Sequence, residues 1–203
     1  MISTSTIVFV RPNMKHMSQR TLKTRAVILD AAGKKLKKDG FDGAGVDGLA
    51  AAAGVTSGAF YAHFSNKEDL LKEVIGAYLG APYVQRDIEG QEAKEKQLKE
   101  FLKTYLSLDH CSSPEEGCVM PTLSADVSRA SMGVRKVYQE RMLNLVEKIS
   151  MVVHGSPAKK RKQAWSVLAM MIGAVTIGRA LPESADSELL MDAALENALA
   201  LLK

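Results

Sequence analysis

The chain has 203 residues, of which 46% are hydrophobic and 25% charged, with a formal net charge of +4. That is enough apolar material for one or two domains with a sizeable core. The longest apolar run, residues 164–177, falls short of the roughly 20 residues that a bilayer-spanning helix needs, and so reads as a buried helix. Residues 1–75 carry eleven Lys and Arg against seven Asp and Glu, whereas residues 76–203 carry sixteen of each. The whole positive excess therefore lies in the first third, as an electrostatic footprint for phosphates would require.

Residues 1–10 lack a positively charged start and a small-residue cleavage pattern, so they make a poor secretory signal, and a cytoplasmic protein is expected. No strand-rich segment follows residue 10, and the chain is predicted to be all-helical. Two readings of residues 1–17 stand side by side. Met14 and Met17 offer alternative translation starts, which would make residues 1–16 dispensable; alternatively, Arg11, Lys15 and Arg20 form a flexible basic arm able to reach a minor groove.

Residues 20–39 read as an amphipathic helix with Ile28, Leu29, Ala32 and Leu36 on one side, stopped by Gly40 and followed by Phe41 as an aromatic anchor. Lys34, Lys35, Lys37 and Lys38 read as its solvated face. Val46, Leu49, Ala50 and Ala53 are spaced i, i+3, i+4, i+7, the pattern of a short helix with one apolar face. Gly54 ends that helix, Val55 plugs the corner, and Thr56 is placed to cap a second helix over residues 57–64. Phe60 and Phe64 should face the core, leaving Ser57, Ala59, Tyr61, Ala62 and His63 outward, as in a helix-turn-helix. Ser65 and Glu68 have capping-box spacing at the start of the next helix.

Ala81-Pro82 and Glu89-Gly90 punctuate the chain before a helical stretch at 91–108, with Leu98, Phe101, Leu102 and Tyr105 on one face. Residues 111–117 read as a loop. Helical stretches follow at 119–128, 134–153, 159–181 and 187–202, separated by Gly155-Ser-Pro157 and Pro182. Cys111 and Cys118, with His110, Glu115 and Glu116 nearby, can be read as a redox pair or a metal site. Their spacing matches no zinc motif, and cytosolic thiols stay reduced, so no metal or cofactor is expected. Paired carboxylates, a nucleophile elbow and a phosphate-cradling glycine loop are absent from the sequence, which argues against an enzyme.

Thr24-Arg25, Ile28-Leu29-x-Ala31-Ala32, Gly40-Phe41, Val46-x-x-Leu49-Ala50-x-x-Ala53-Gly54-Val55, Tyr61-x-His63-Phe64 and Lys67-Glu68-x-Leu70 together resemble the N-terminal domain of the tetracycline-repressor (TetR) family. Gly117-Cys118, Asp126-Val127-x-Arg129, Val134-Arg135 and Gly173-Ala174 through Arg179-Ala180 resemble C-terminal domains in part of that family. The chain departs from the pattern at Ala44 and Gly45, where hydroxyl residues are usual, and at Lys35, where an apolar residue is usual.

The resemblance implies an all-α protein with an arm at 1–17, a helix-turn-helix DNA-binding domain at 18–66, a connecting helix at 67–80 and a ligand-binding and dimerisation domain at 81–203. It implies a homodimer on a palindromic operator in double-stranded DNA, paired through helices near 164–181 and 187–202, where Gly173, Ala174 and Gly178 would allow close approach. Thr56, Tyr61, His63 and Lys67 would grip phosphates, while Ser57, Ala59 and Tyr61 would face the bases. Ser57 can bond several base edges and Ala59 can pack only on a thymine methyl, so direct readout is thin and DNA shape should carry part of the specificity. A small-molecule effector would occupy a cavity for which Phe101, Tyr105, Met120, Leu123, Tyr138, Met142, Trp165 and Met170 are the candidate lining, and ten methionines make such an interior adaptable. Repression relieved by the effector is the implied mode. The rival reading is a helical ligand-binding or adaptor protein that keeps the fold without reading DNA.

Overall fold

A computed structural model describes residues 18–84 and 88–203, and every described element is helical. The predicted arm at residues 1–17, with Arg11 and Lys15, lies outside the described residues. Helix α1 (Gln19–Gly43) starts at Ser18, whose hydroxyl accepts from the Thr21 N–H. Gly40, at φ 75°, interrupts it where the sequence predicted a stop, and one further turn follows before Ala44. Helix α2 (Val46–Ala52) begins at Gly45 with no side-chain cap, as its composition predicts. Gly54, at φ 66°, turns the chain, and the Thr56 hydroxyl then accepts from the Ala59 N–H at 3.2 Å to open α3 (Ser57–Tyr61). Helix α3 is shorter than predicted: Ala62 and His63 form a turn, and Phe64 is buried beyond the helix end.

The predicted Ser65/Glu68 capping box does not form. Asn66 is the N-cap of α4 (Lys67–Tyr78), accepting from the Asp69 N–H at 2.9 Å. Glu68 instead accepts from the Ser131 N–H at 3.0 Å, because α4 packs on the distant segment that begins at Ser131 and the carboxylate finds a free donor there. A cap moved by one residue leaves the helix start almost unchanged.

Beyond Gly80 the chain makes a short helix α5 (Ala81–Val84), where the sequence suggested only a break. Helix α6 (Gln91–Tyr105) follows Gly90, and α7 (Leu108–Ser112) includes Cys111, which the sequence placed in a loop. The Ser107 hydroxyl accepting from the His110 N–H explains that extra turn. Helices α8 (Met120–Arg129), α9 (Met132–Ser150), α10 (Pro157–Ala180) and α11 (Ala185–Ala200) complete the fold. Pro157 opens α10, in the first helical turn, where its missing N–H costs nothing.

Helices α1 to α4 form the N-terminal unit around Ile28, Leu36, Leu49, Phe60, Phe64 and Leu70. Helix α4 also packs on α9, and α1 on α8, so the two halves share one continuous core. Arg25 joins α1 to α4 through a two-pronged ion pair with Glu73, while its guanidinium lies 4.6 Å from the centre of the Phe64 ring. In the C-terminal half, α10 packs against α7, α8, α9 and α11. Among the described residues no helix is long and apolar enough to cross a membrane.

Candidate nucleic-acid interface and effector cavity

Phe60 and Phe64 anchor α3, their ring centres 5.5 Å apart and both rings fully buried. With that face inward, Tyr61 stands 54% exposed on the other side, its ring edge-on to Phe60. Thr56 is exposed, while Ser57, Ala59 and His63 are half-buried. The Ser57 hydroxyl donates to Asp47 Oδ1 of α2 at 2.5 Å, which leaves only its oxygen lone pairs free to accept. His63 keeps Nδ1 buried without a partner. Lys67, in the first turn of α4, holds its ammonium 4.0 Å over the Phe41 ring. Ala44, one of the departures from the family pattern, is fully buried and serves the core.

The lysine-rich stretch of α1 corrects the sequence reading at one position. Lys37 is only 3% exposed, its Nζ donating to the Gly117 carbonyl at 3.2 Å and lying 4.8 Å from the Tyr78 ring centre. Helix geometry puts it beside Gly33 and Leu36 on the side that meets α4 and the 116–118 segment, so it cannot stay in the solvated face. Burial pulls its pKa below the usual lysine value. Lys34, by contrast, pairs with Glu116 at 2.9 Å and remains partly exposed.

A cavity of about 670 Å³ opens between the end of α4, α5, α6, α7 and the 116–118 segment. Of the candidate lining residues, Phe101 and Tyr105 border it. Met120, Leu123 and Met142 lie in the core, and Met170 packs against it half-buried. The Tyr138 hydroxyl is 2.6 Å from that of Ser124, and Trp165 stands 38% exposed on α10. Sequence reasoning did not single out Tyr78, Tyr83, Gln97 or His110 for this wall. One signal was available: Gln97, Phe101 and Tyr105 recur every fourth residue, and so form one stripe along α6.

The cavity walls are chemically quiet. His110 Nδ1 lies 2.7 Å from the Tyr105 carbonyl, and Nε2 accepts from the Cys118 N–H at 3.2 Å, which makes the ring a neutral Nδ1–H tautomer. Burial lowers its pKa and holds it in that form. Burial also pushes the Cys111 and Cys118 thiols up, away from the reactive thiolate. Among the described residues no group of three His, Cys, Asp or Glu side chains is arranged to hold a metal ion.

This geometry defines a helix-turn-helix protein with an internal cavity. Residues 28–74 match the model of the family described as bacterial regulatory proteins, tetR family. No curated protein matches the chain by sequence. Among solved structures, the chain is similar to Escherichia coli NemR in its reduced form, with a TM-score of 0.71 and 20% identity over 89% of this chain and 97% of that one. It is similar to a TetR-family transcriptional regulator from Cytophaga hutchinsonii, with a TM-score of 0.70 and 20% identity over 92% and 98%. It is also similar to the transcriptional regulator FadR of Bacillus subtilis in complex with stearoyl-CoA, with a TM-score of 0.63 and 17% identity over 88% and 99%. Residues 28–74 thus match the DNA-binding domain of the tetR family, and the solved structures show that the chain has the fold of such regulators over most of its length.

Proposed function

We propose that the protein is an effector-controlled transcriptional repressor that binds a palindromic operator as a homodimer. The observation that carries this reading is the α3 unit, with two buried phenylalanines fixing it and Tyr61 presented outward. Residues 18–66 act as the DNA-binding domain, 67–80 as the connector and 81–203 as the effector-binding and dimerisation domain. Thr56, Tyr61, His63 and Lys67 contact phosphates, and Ser57, Ala59 and Tyr61 face the bases. Because the Ser57 hydroxyl is already engaged by Asp47, backbone grip outweighs base readout.

Dimerisation through α10 and α11 is supported by their surface. Trp165, Ile177, Leu181 and Leu189 are exposed, and a Cβ added at Gly173 would meet nothing within 4 Å. Ala174 and Gly178, by contrast, support packing within the chain: a Cβ on Gly178 would lie 2.9 Å from Met191. Effector control is supported by the cavity and by the bound stearoyl-CoA of the FadR structure. The protein acts by binding rather than catalysis, in the cytoplasm.

Titration of an operator duplex at several salt concentrations tests the DNA-reading claim. Tyr61→Ala and Lys67→Ala should each weaken binding to all sequences, with Lys67→Ala lowering the salt slope by about one. Ser57→Ala should shift sequence preference instead. Affinity without salt dependence that survives all three changes would leave the adaptor reading in its place.

A further inference from the structure

We infer that the cavity selects an elongated aromatic molecule carrying a hydrogen-bond acceptor oxygen at each end, and that it rejects organic cations. The inference rests on the reading of this cavity as the effector site. The inner end is Tyr105, whose side chain is 4% exposed and whose hydroxyl lies beside the Cys118 thiol without making a well-formed hydrogen bond. At the outer end, Gln97 holds its Nε2 buried and unpartnered. A buried donor left unpaired is destabilising, and a guest that offers an acceptor removes that cost. Both residues border the cavity. Eight residues apart on one helix, they stand roughly 12 Å from each other along the α6 axis.

Between them lies Phe101, stacked on Tyr83 with ring centres 5.0 Å apart and planes 14° from parallel. These flat surfaces favour a planar middle section. A cavity of about 670 Å³ holds a guest of that length.

The charges around the cavity point the same way. Glu100 is paired with Lys103 at 3.2 Å, and Glu116 with Lys34 at 2.9 Å, so the charge of each bordering carboxylate is offset by a neighbouring lysine. Behind the inner end, Arg179 donates to the Thr122 hydroxyl at 2.9 Å and the His110 carbonyl at 3.2 Å. Lys37 donates to the Gly117 carbonyl at 3.2 Å. Both cations are thus neutralised by no hydrogen-bonded carboxylate, and their field favours electron-rich oxygen. Lys96 adds a positive charge to the border beside Gln97.

Calorimetric titration of the full chain with three molecules on one frame tests this: biphenyl, its para-diacetyl derivative and its para-diamidine. The diketone should bind at least ~10-fold more tightly than biphenyl, corresponding to two modest hydrogen bonds, and the diamidine should not bind. Gln97→Leu and Tyr105→Phe should each remove several-fold of the diketone's advantage while leaving biphenyl unaffected or tighter. Tyr105→Phe removes an unpaired group, so its melting temperature should hold or rise, which separates lost recognition from lost folding. Equal affinity for biphenyl and diketone, tightest binding by the diamidine, no binding by any probe, or indifference to both substitutions would overturn the inference. Release of an operator duplex is measured separately. A diketone that shows the expected pattern yet leaves DNA bound would overturn the effector reading while the ligand class stands.

Discussion

Lys37 places an ammonium where little water reaches, held by one carbonyl and one ring face. Its pKa is lowered, so the unfolded chain holds the proton more tightly than the folded one. The resulting penalty is full below the lowered folded value and fades as pH rises from there to the ordinary value of 10.5. Lys37→Met should therefore melt higher than the parent at pH 7, with the gap narrowing towards pH 10 in paired thermal scans. Thr56 works on the same scale. Its hydroxyl is the N-cap of a five-residue helix, and Thr56→Ala should cost about 1 kcal/mol in urea unfolding and weaken DNA binding as α3 frays.

Element starts depend on competition between nearby side chains, as α4 illustrates. Ser65, Asn66 and Glu68 all belong to residue types that cap helices, and local spacing alone favours Ser65 with Glu68. Asn66 takes the cap because Glu68 is drawn to the Ser131 N–H, sixty-three residues away in sequence. The exit of α4 is set by contact as well. Gly80 has φ 63°, and a Cβ there would lie 2.7 Å from Leu145 Cδ2 of α9. Gly80→Ala combines a left-handed backbone with an overpacked contact, and should cost about 2–4 kcal/mol in denaturant unfolding. Gly54 shares the positive φ, but a Cβ on it would meet no atom within 4 Å, so Gly54→Ala should cost about 1 kcal/mol, less than Gly80→Ala in the same assay.

At the scale of the whole molecule, Lys37 joins the first helix to Gly117, which borders the cavity. A guest that shifts the 116–118 segment would act directly on α1, so Lys37→Met should weaken effector-driven DNA release by more than it weakens effector binding. The exposed apolar residues of α10 and α11 belong to the same scale: Leu189, 65% exposed, has no role within the chain that its exposure explains. Leu189→Glu combined with Ile177→Glu should shift sedimentation from dimer towards monomer and reduce operator affinity, with the melting temperature of the monomer little changed. The all-helical class, the turn at Gly54, the Thr56 cap and the buried Phe60 and Phe64 were legible in the sequence, because helical periodicity, glycine punctuation and N-capping act over four residues or fewer. The burial of Lys37, the partner of Glu68 and the cavity wall were not. Each depends on which distant segment a helix face meets: Lys37 lies eighty residues from Gly117, and Tyr83 and Phe101 stack across two helices. Of the eight candidate cavity residues, Phe101 and Tyr105 border the cavity, while Met120, Leu123 and Met142 fill the core. An apolar residue at helical spacing is suited equally to a core and to a pocket, and only the tertiary packing decides which one it meets.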